Sequence, residues 1–450
     1  MKRGISLMRL INIPKGFFFF KVVIVVLLIN LPYVVYVSGY TPTLRLSSDK
    51  SMPVIHDPNL RIEEVIRGLD LPTSMAFLGK DDILVLEKDK GTVQRIVNGQ
   101  IMNKSIIDVN VSTDVERCMC GIAVSMKDNA TNIFLYYTEA ESTDGGRALG
   151  NRVYRYDLSN GELVNGRLLL DLPALPGPRH NGGAILLGPD NNSLYVPIGD
   201  VDGSFNPGGQ FIRTQTQNYI NSSVVDGRSG ILAIDLDGNP MVGQGLLGND
   251  YPLVLYYAYG IRNSFGIDFD PVTGNLWDTE NGPAYADEIN LVKPGFNSGY
   301  TQVQGIWAHG VNPRSNVSDW ELFSDSTRGL VDFDGRGKYS FPEFTWIDTI
   351  GTTAIKFFPS EKLGLEYENG MFVSDVHEGR IYYFQLSGDR TELILSGLLQ
   401  DKIANSTSEL DNVILAEGFG GITDLEVGPD GYLYVVSIGQ GKIFRILPNY

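Results

Sequence analysis

Six times between Ser74 and Ile446 the chain runs an apolar strand into a turn of Gly, Pro, Asp or Asn and back out along a second apolar strand. The copies are "SMAFLGKDDILVLEKDKGTVQRIV" from Ser74, "CGIAVSMKDNATNIFLYYTE" from Cys120 and "GGAILLGPDNNSLYVPIGD" from Gly182. They continue with "SFGIDFDPVTGNLWDTENG" from Ser264, "TAIKFFPSEKLGLEYENGMFVSD" from Thr353 and "ITDLEVGPDGYLYVVSIGQGKIFRI" from Ile422. Alternating apolar residues between tight turns specify short antiparallel strands, and no segment past residue 60 sustains a helical period. "GPDNNSLYV" and "GPDGYLYVV" nearly repeat each other. The likeness therefore reaches turn chemistry, which a β-sandwich with coincidental hairpins would not require. The expected fold is all-β: a six-bladed β-propeller over residues 59–450, with six sheets of four strands and long insertions on one face. Propellers place function in the loops around a central channel, so the insertions are where a site is to be sought.

The formal charge of −17, from 36 basic and 53 acidic residues, argues against nucleic acid, because a polyanion is repelled and no basic cluster offsets the field. Residues 1–39 read as a signal peptide or signal anchor. Lys2, Arg3, Arg9 and Lys15 precede Phe17–Phe20, and the stretch from Val22 to Val37 is almost wholly apolar. Lys21, Asn30 and Pro32 interrupt it, and Val37-Ser38-Gly39 offers only an imperfect cleavage site, so an uncleaved membrane anchor is favoured over a secreted product. Residues 40–58 form a linker. The body is expected outside the cytoplasm, and seven N-x-S/T sequons agree with that: Asn103, Asn110, Asn129, Asn191, Asn221, Asn316 and Asn405. The two cysteines, Cys118 and Cys120, would share one face of a strand; a disulfide is open to them, but buried thiols are the expected state.

Chemistry-bearing residues gather at the ends of the repeats. The scarcity of histidine (His56, His180, His309 and His377) argues against a multi-histidine metal centre but not against a single histidine base. His180 precedes Asn181-Gly182-Gly183, and the hairpin that follows returns Asp200 to the same edge, where a carboxylate fixes an imidazole tautomer. An exposed loop histidine beside a turn aspartate would show the same spacing. Arg262 and Asn263 open the fourth copy; an arginine there clamps a carboxylate or quinone oxygen, or else bridges two blades. In "TENGPAYADEINLVKPGFNSGY", Gly282-Pro283 is an ordinary turn or a pair of backbone carbonyls facing a hard cation, with Asp287 and Glu288 ordering the loop behind it. Asp332, Asp334, Gly337 and Glu343 mimic a calcium loop, but Arg336 falls where an oxygen is needed, so this segment reads as a turn.

The stretches "RHNGGAILLGPDNNSLYVPIGD", "YGIRNSFGIDFDPVTGNLWDTENGPAYADEINLVKPGFNSGY" and "GFGGITDLEVGPDGYLYVVSIGQGKIFRI" resemble the soluble glucose/sorbosone dehydrogenases, with a likeness running from about Leu60 to Leu447. These are six-bladed propellers that use pyrroloquinoline quinone (PQQ) and Ca²⁺. The resemblance implies His180 as the base that takes the proton of an aldose's anomeric hydroxyl, with Asp200 beside it. It implies Arg262 and Asn263 as cofactor contacts, the carbonyls of Gly282 and Pro283 as Ca²⁺ ligands, and an external electron acceptor.

The chain also departs from the family pattern. "GHRNPQG" reads here Gly260-Ile261-Arg262-Asn263-Ser264-Phe265-Gly266; His377 stands in place of a lysine, and Gly421 and Thr423 in place of two arginines. Arg117, in Glu116-Arg117-Cys118, is the candidate replacement cation. Two other classes of function stay open: a cell-surface propeller that binds glycan or protein without a quinone, and a calcium-dependent lactonase-type hydrolase.

Overall fold

The computed structural model of the chain describes residues 52–127, 130–202, 212–241, 245–308 and 329–449. The leader, His309 and the sequons Asn129 and Asn316 fall outside them. Among the described residues there is no α-helix, only four short 3-10 turns, and no helix is long and apolar enough to cross a membrane. The fold is an all-β propeller.

Each repeat copy forms the first two strands of one antiparallel sheet. The pairs are Pro72–Gly79 with Asp82–Glu87, Met119–Lys127 with Ala130–Ala140, and Leu186–Leu187 with Ser193–Ile198. They continue with Ser264–Phe269 and Leu276–Glu280, Thr352–Phe357 and Met371–Asp375, and Ile422–Val427 and Leu433–Ser437. The sheets pack on one another in chain order along their inner strands, and Ile422–Val427 comes back against Pro72–Gly79. Closure is also built into the sixth sheet, where Leu60–Arg67 from the start of the domain pairs with Lys442–Pro448 from its end. That pairing uses up edge groups which would otherwise stay open to a second chain.

Four strands per sheet holds for the second and sixth sheets only. Elsewhere extra strands are added to a sheet edge: Val54–Ile55, from the stretch read as linker, pairs with Ile414–Glu417 on the fifth sheet. Phe296–Asn297 runs parallel to Tyr256–Tyr259 on the third sheet, and Ile403–Ala404 runs beside Phe344–Trp346 on the fourth. Aromatic side chains fill the space between sheets; Trp277, Phe344, Trp346, Phe357 and Tyr382 form one buried cluster. Each such ring contributes about 2–3 kcal/mol by leaving water.

The inner strands leave an axial cavity of about 40 Å³, room for a few waters. Lys356 reaches Asp268 at 3.6 Å and Glu426 at 3.0 Å across it, joining three sheets.

The cysteines correct the expectation of free thiols: Cys118 and Cys120 are disulfide-bonded. The ladder slips between Met119 and Gly121, and this bulge leaves the two Cα atoms 5.1 Å apart, inside bonding range. The described sequon residues Asn103, Asn110, Asn191, Asn221 and Asn405 are all exposed.

Candidate active site

Eight candidate site residues flank the repeat strands at one edge of the sheets. Arg117, His180, and Arg262 with Asn263 precede the first strands of the second, third and fourth sheets; Asp200, Gly282-Pro283 and His377 follow the second strands of the third, fourth and fifth. In an antiparallel pair the start of one strand and the end of the next meet, so the hairpins deliver these groups to a common rim.

His180 and Asp200 meet there. His180 Nδ1 lies 2.5 Å from Asp200 Oδ1; Asp200 is fully buried and His180 is 7% exposed. A carboxylate accepts only, so Nδ1 carries the proton and Nε2 is left as the basic nitrogen. The His180 amide donates to Glu116 Oε2 at 2.6 Å, and the Asp200 amide to the Arg262 carbonyl at 2.9 Å. His180 has φ +58°, and Val201 and Asp202, just past Asp200, have +51° and +54°. Such values are uncommon outside glycine and persist where the surroundings over-determine them, often around functional groups. Gly199 shows how tight the junction is. A Cβ there would sit 2.4 Å from the Arg262 carbonyl oxygen and 2.7 Å from that of His180.

The Arg262 guanidinium donates to the carbonyls of Asn281 (2.7 Å) and Gly282 (2.9 Å). Asn263 Nδ2 donates to Asn281 Oδ1 at 3.1 Å, while its own Oδ1 has no partner among the described residues although Asn263 is 5% exposed. A buried amide oxygen without a partner is costly, and here it stands beside a half-buried guanidinium. This pair fits a polar, hydrogen-bonding group such as the PQQ that the resemblance implies. The Gly282-Pro283 turn is held by Asp287, whose carboxylate accepts from Gly282 (2.8 Å), Ile350 (2.8 Å) and Gly351 (2.8 Å).

Other expected contacts lie elsewhere. Arg117 is buried, and its Nη2 donates to the carbonyls of Ala174 and Gly177, so it serves the 174–177 loop; burial lowers its pKa. His377 is exposed and stands over Gly351, where a Cβ would lie 3.1 Å from its Nε2. The Phe265 ring would lie 3.5 Å from a Cβ on Gly183, and Thr423 Oγ1 donates to the Pro72 carbonyl, tying the last sheet to the first. In the mimic of a calcium loop, Arg336 bonds Asp334 and the Gly337 amide bonds the Asp332 carbonyl, as a turn requires.

Sequence reasoning named Glu288 as a loop-ordering residue but missed Asp278 and Glu280, the carboxylates beside it behind the rim. The ladder sets Glu280 opposite Glu288 and Asp278 opposite Asn290, all buried. Burial pushes Asp278 up to about 7 and Glu288 up to about 8, and it raises Glu280 well above the usual range, with Glu288 and Asp278 adding repulsion. Glu280 nonetheless accepts from the Arg262 amide (2.7 Å) and Ser298 Oγ (2.6 Å), so it shapes the rim from beneath. Tyr300 was also missed: its hydroxyl donates to Asp200 Oδ2 at 3.0 Å. Its only sequence signal is the glycine turn "NSGY".

Among the described residues no three His, Cys, Asp or Glu side chains are arranged to hold a metal ion. For the expected Ca²⁺ the named candidates are the Gly282 and Pro283 backbone carbonyls, and that of Gly282 already accepts from Arg262.

A family model described as Glucose / Sorbosone dehydrogenase matches residues 69–445. An uncharacterised protein of Synechocystis is 27% identical over 409 residues, covering 87% of each chain. Quinoprotein glucose dehydrogenase B of Acinetobacter calcoaceticus is 28% identical over 264 residues, 54% of this chain and 52% of that one. A solved oxidoreductase of Thermus thermophilus, described as a glucose dehydrogenase, superposes with a TM-score of 0.62 at 25% identity, covering 86% of this chain and all of the other.

Proposed function

Because the chain belongs to the glucose/sorbosone dehydrogenase family, we propose that it oxidises the anomeric carbon of aldose sugars and passes the electrons to an external acceptor. The observation that carries this reading is the buried His180–Asp200 pair beside Arg262 and the unpartnered Asn263 oxygen. PQQ, when bound, supplies the hydride acceptor. Arg262, Asn263 and His377 would contact it, and the Gly282 and Pro283 carbonyls would face Ca²⁺. His180 Nε2 takes the proton of the anomeric hydroxyl, and Asp200 stabilises the imidazolium that results. We read the six sheets as six blades. We also place the domain outside the cytoplasm, secreted or anchored through residues 1–39; the exposed sequons and the disulfide support that placement.

Purified protein supplied with PQQ and Ca²⁺ is expected to reduce a dye when given an aldose, and a spectral titration should saturate at one PQQ per chain. Absence of PQQ binding would sink the proposal. One observation favours a second reading, a surface propeller that binds glycan or protein without a quinone: Arg117, the candidate replacement cation, is buried and its Nη2 donates to the carbonyls of Ala174 and Gly177. Stoichiometric PQQ binding excludes it.

A further inference from the structure

Tyr300 lies 100 residues from Asp200 in sequence, yet its hydroxyl meets that side chain at 3.0 Å. The position is built rather than incidental. Just before Tyr300, Phe296–Asn297 pairs between Tyr256–Tyr259 and Lys338–Tyr339 on the third sheet, and three contacts fix the backbone that follows. The Tyr300 amide donates to the Gly260 carbonyl at 2.9 Å, Asn218 Nδ2 donates to the Tyr300 carbonyl at 2.8 Å, and the Thr301 amide donates to the Gln217 carbonyl at 3.0 Å. Tyr300 is itself 3% exposed, so packing leaves its ring little freedom.

Asp200 has two oxygens and a rotatable carboxylate. Oδ1 faces His180 Nδ1 and Oδ2 faces the Tyr300 hydroxyl. We infer that Tyr300 is a positioning residue of the reaction: its hydroxyl holds the Asp200 carboxylate so that one oxygen always faces His180 Nδ1, which keeps Nε2 free as the base. The inference rests on the dehydrogenase reading for its catalytic consequence, but the geometry it asserts belongs to the protein alone. A carboxylate turned away from the ring would let the proton move to Nε2, and the base would be lost.

Tyr300→Phe keeps the ring and removes only the hydroxyl. In the PQQ- and Ca²⁺-loaded enzyme, kcat is expected to fall about tenfold with KM within twofold, and the acid limb of the pH profile to move. On an Asp200→Asn background the same substitution should cost nothing further, because Tyr300 acts only through that carboxylate. Independent multiplicative losses in the double variant, or an unchanged kcat and pH profile in Tyr300→Phe, would overturn the inference. Nitrogen NMR of the metal-free, quinone-free protein tests it without activity, since only four histidines need assignment. His180 should show a single Nδ1–H tautomer with a protected low-field proton in the wild type, and a mixed tautomer with a fast-exchanging proton in Tyr300→Phe. Identical spectra would overturn the inference even if the enzyme is active. A changed spectrum in a protein that oxidises no aldose would uphold the positioning role and sink the dehydrogenase reading instead.

Discussion

The Asp287 carboxylate accepts the Gly282 amide at 2.8 Å and, through its other oxygen, the amides of Ile350 and Gly351. One side chain thus fastens the Gly282-Pro283 turn of the fourth sheet to the loop that opens the fifth. Asp287→Asn leaves one acceptor and presents an NH₂ group to amides that also donate. Leaving buried amides unpaired costs about 1–3 kcal/mol each. The variant should melt several degrees lower, and, on the proposed dehydrogenase reading, its binding of PQQ added with Ca²⁺ should weaken by about tenfold or more. Calorimetry and quinone titration check both. A variant with wild-type binding would show that Asp287 does not shape the turn.

Gly199 leads to a sharper expectation. A methyl group there would overlap the carbonyl oxygens of His180 and Arg262, both backbone atoms that cannot rotate away. Gly199→Ala should therefore displace His180 from Asp200 and abolish activity, by at least about a hundredfold in kcat. The propeller should remain folded, as far-ultraviolet circular dichroism would report. Retained activity would mean that the junction yields more readily than its contacts imply.

The repeats were legible because a hairpin is a local object: period two, a Gly/Pro/Asp turn, period two again. The same locality made Asp200 findable, since a hairpin returns its second strand to where the first began. What stayed hidden depends on distance or on a local irregularity. Tyr300 reaches Asp200 only because an insertion lays Phe296–Asn297 on the third sheet, and no spacing rule encodes that. Arg262 was legible as a rim cation, but its partners are carbonyls, which carry no side-chain signal. The disulfide turned on a bulge at Met119–Gly121 that the residue pattern does not announce.

That disulfide should contribute modestly. It closes a loop of three residues, for which chain entropy gives about 1.6 kcal/mol. Reduction, or Cys118→Ala with Cys120→Ala, is expected to lower the melting temperature by only a few degrees and to leave the fold intact. Alkylation of the native protein should label no thiol before reduction and two after denaturing reduction. Free thiols in the native chain, or collapse of the fold on reduction, would contradict this.

Stability should also depend on pH in a direction set by the buried carboxyl groups. Burial pushes Asp278 and Asp424 from 3.8 up to about 7, Asp375 up to about 6, and Glu288 from 4.5 up to about 8. A carboxyl whose pKa is raised by folding is bound to a proton in the native state and has lost it in the unfolded chain across that interval. Its favourable contribution is therefore complete below about pH 4 and is lost as pH rises through the folded value. Asp270 acts in the opposite sense: against the effect of burial, its hydrogen bonds with Arg390 and Thr273 hold it below the ordinary 3.8, and that stabilisation disappears only in stronger acid. With chelator present, the melting temperature is thus expected to peak near pH 5 and to fall steadily towards pH 8. Asp278→Asn and Asp424→Asn should each flatten the alkaline slope, because each removes a group that must ionise in an apolar setting. A melting temperature that rises between pH 5 and pH 8 would show that these carboxyl groups reach water or a cation that the fold does not otherwise provide.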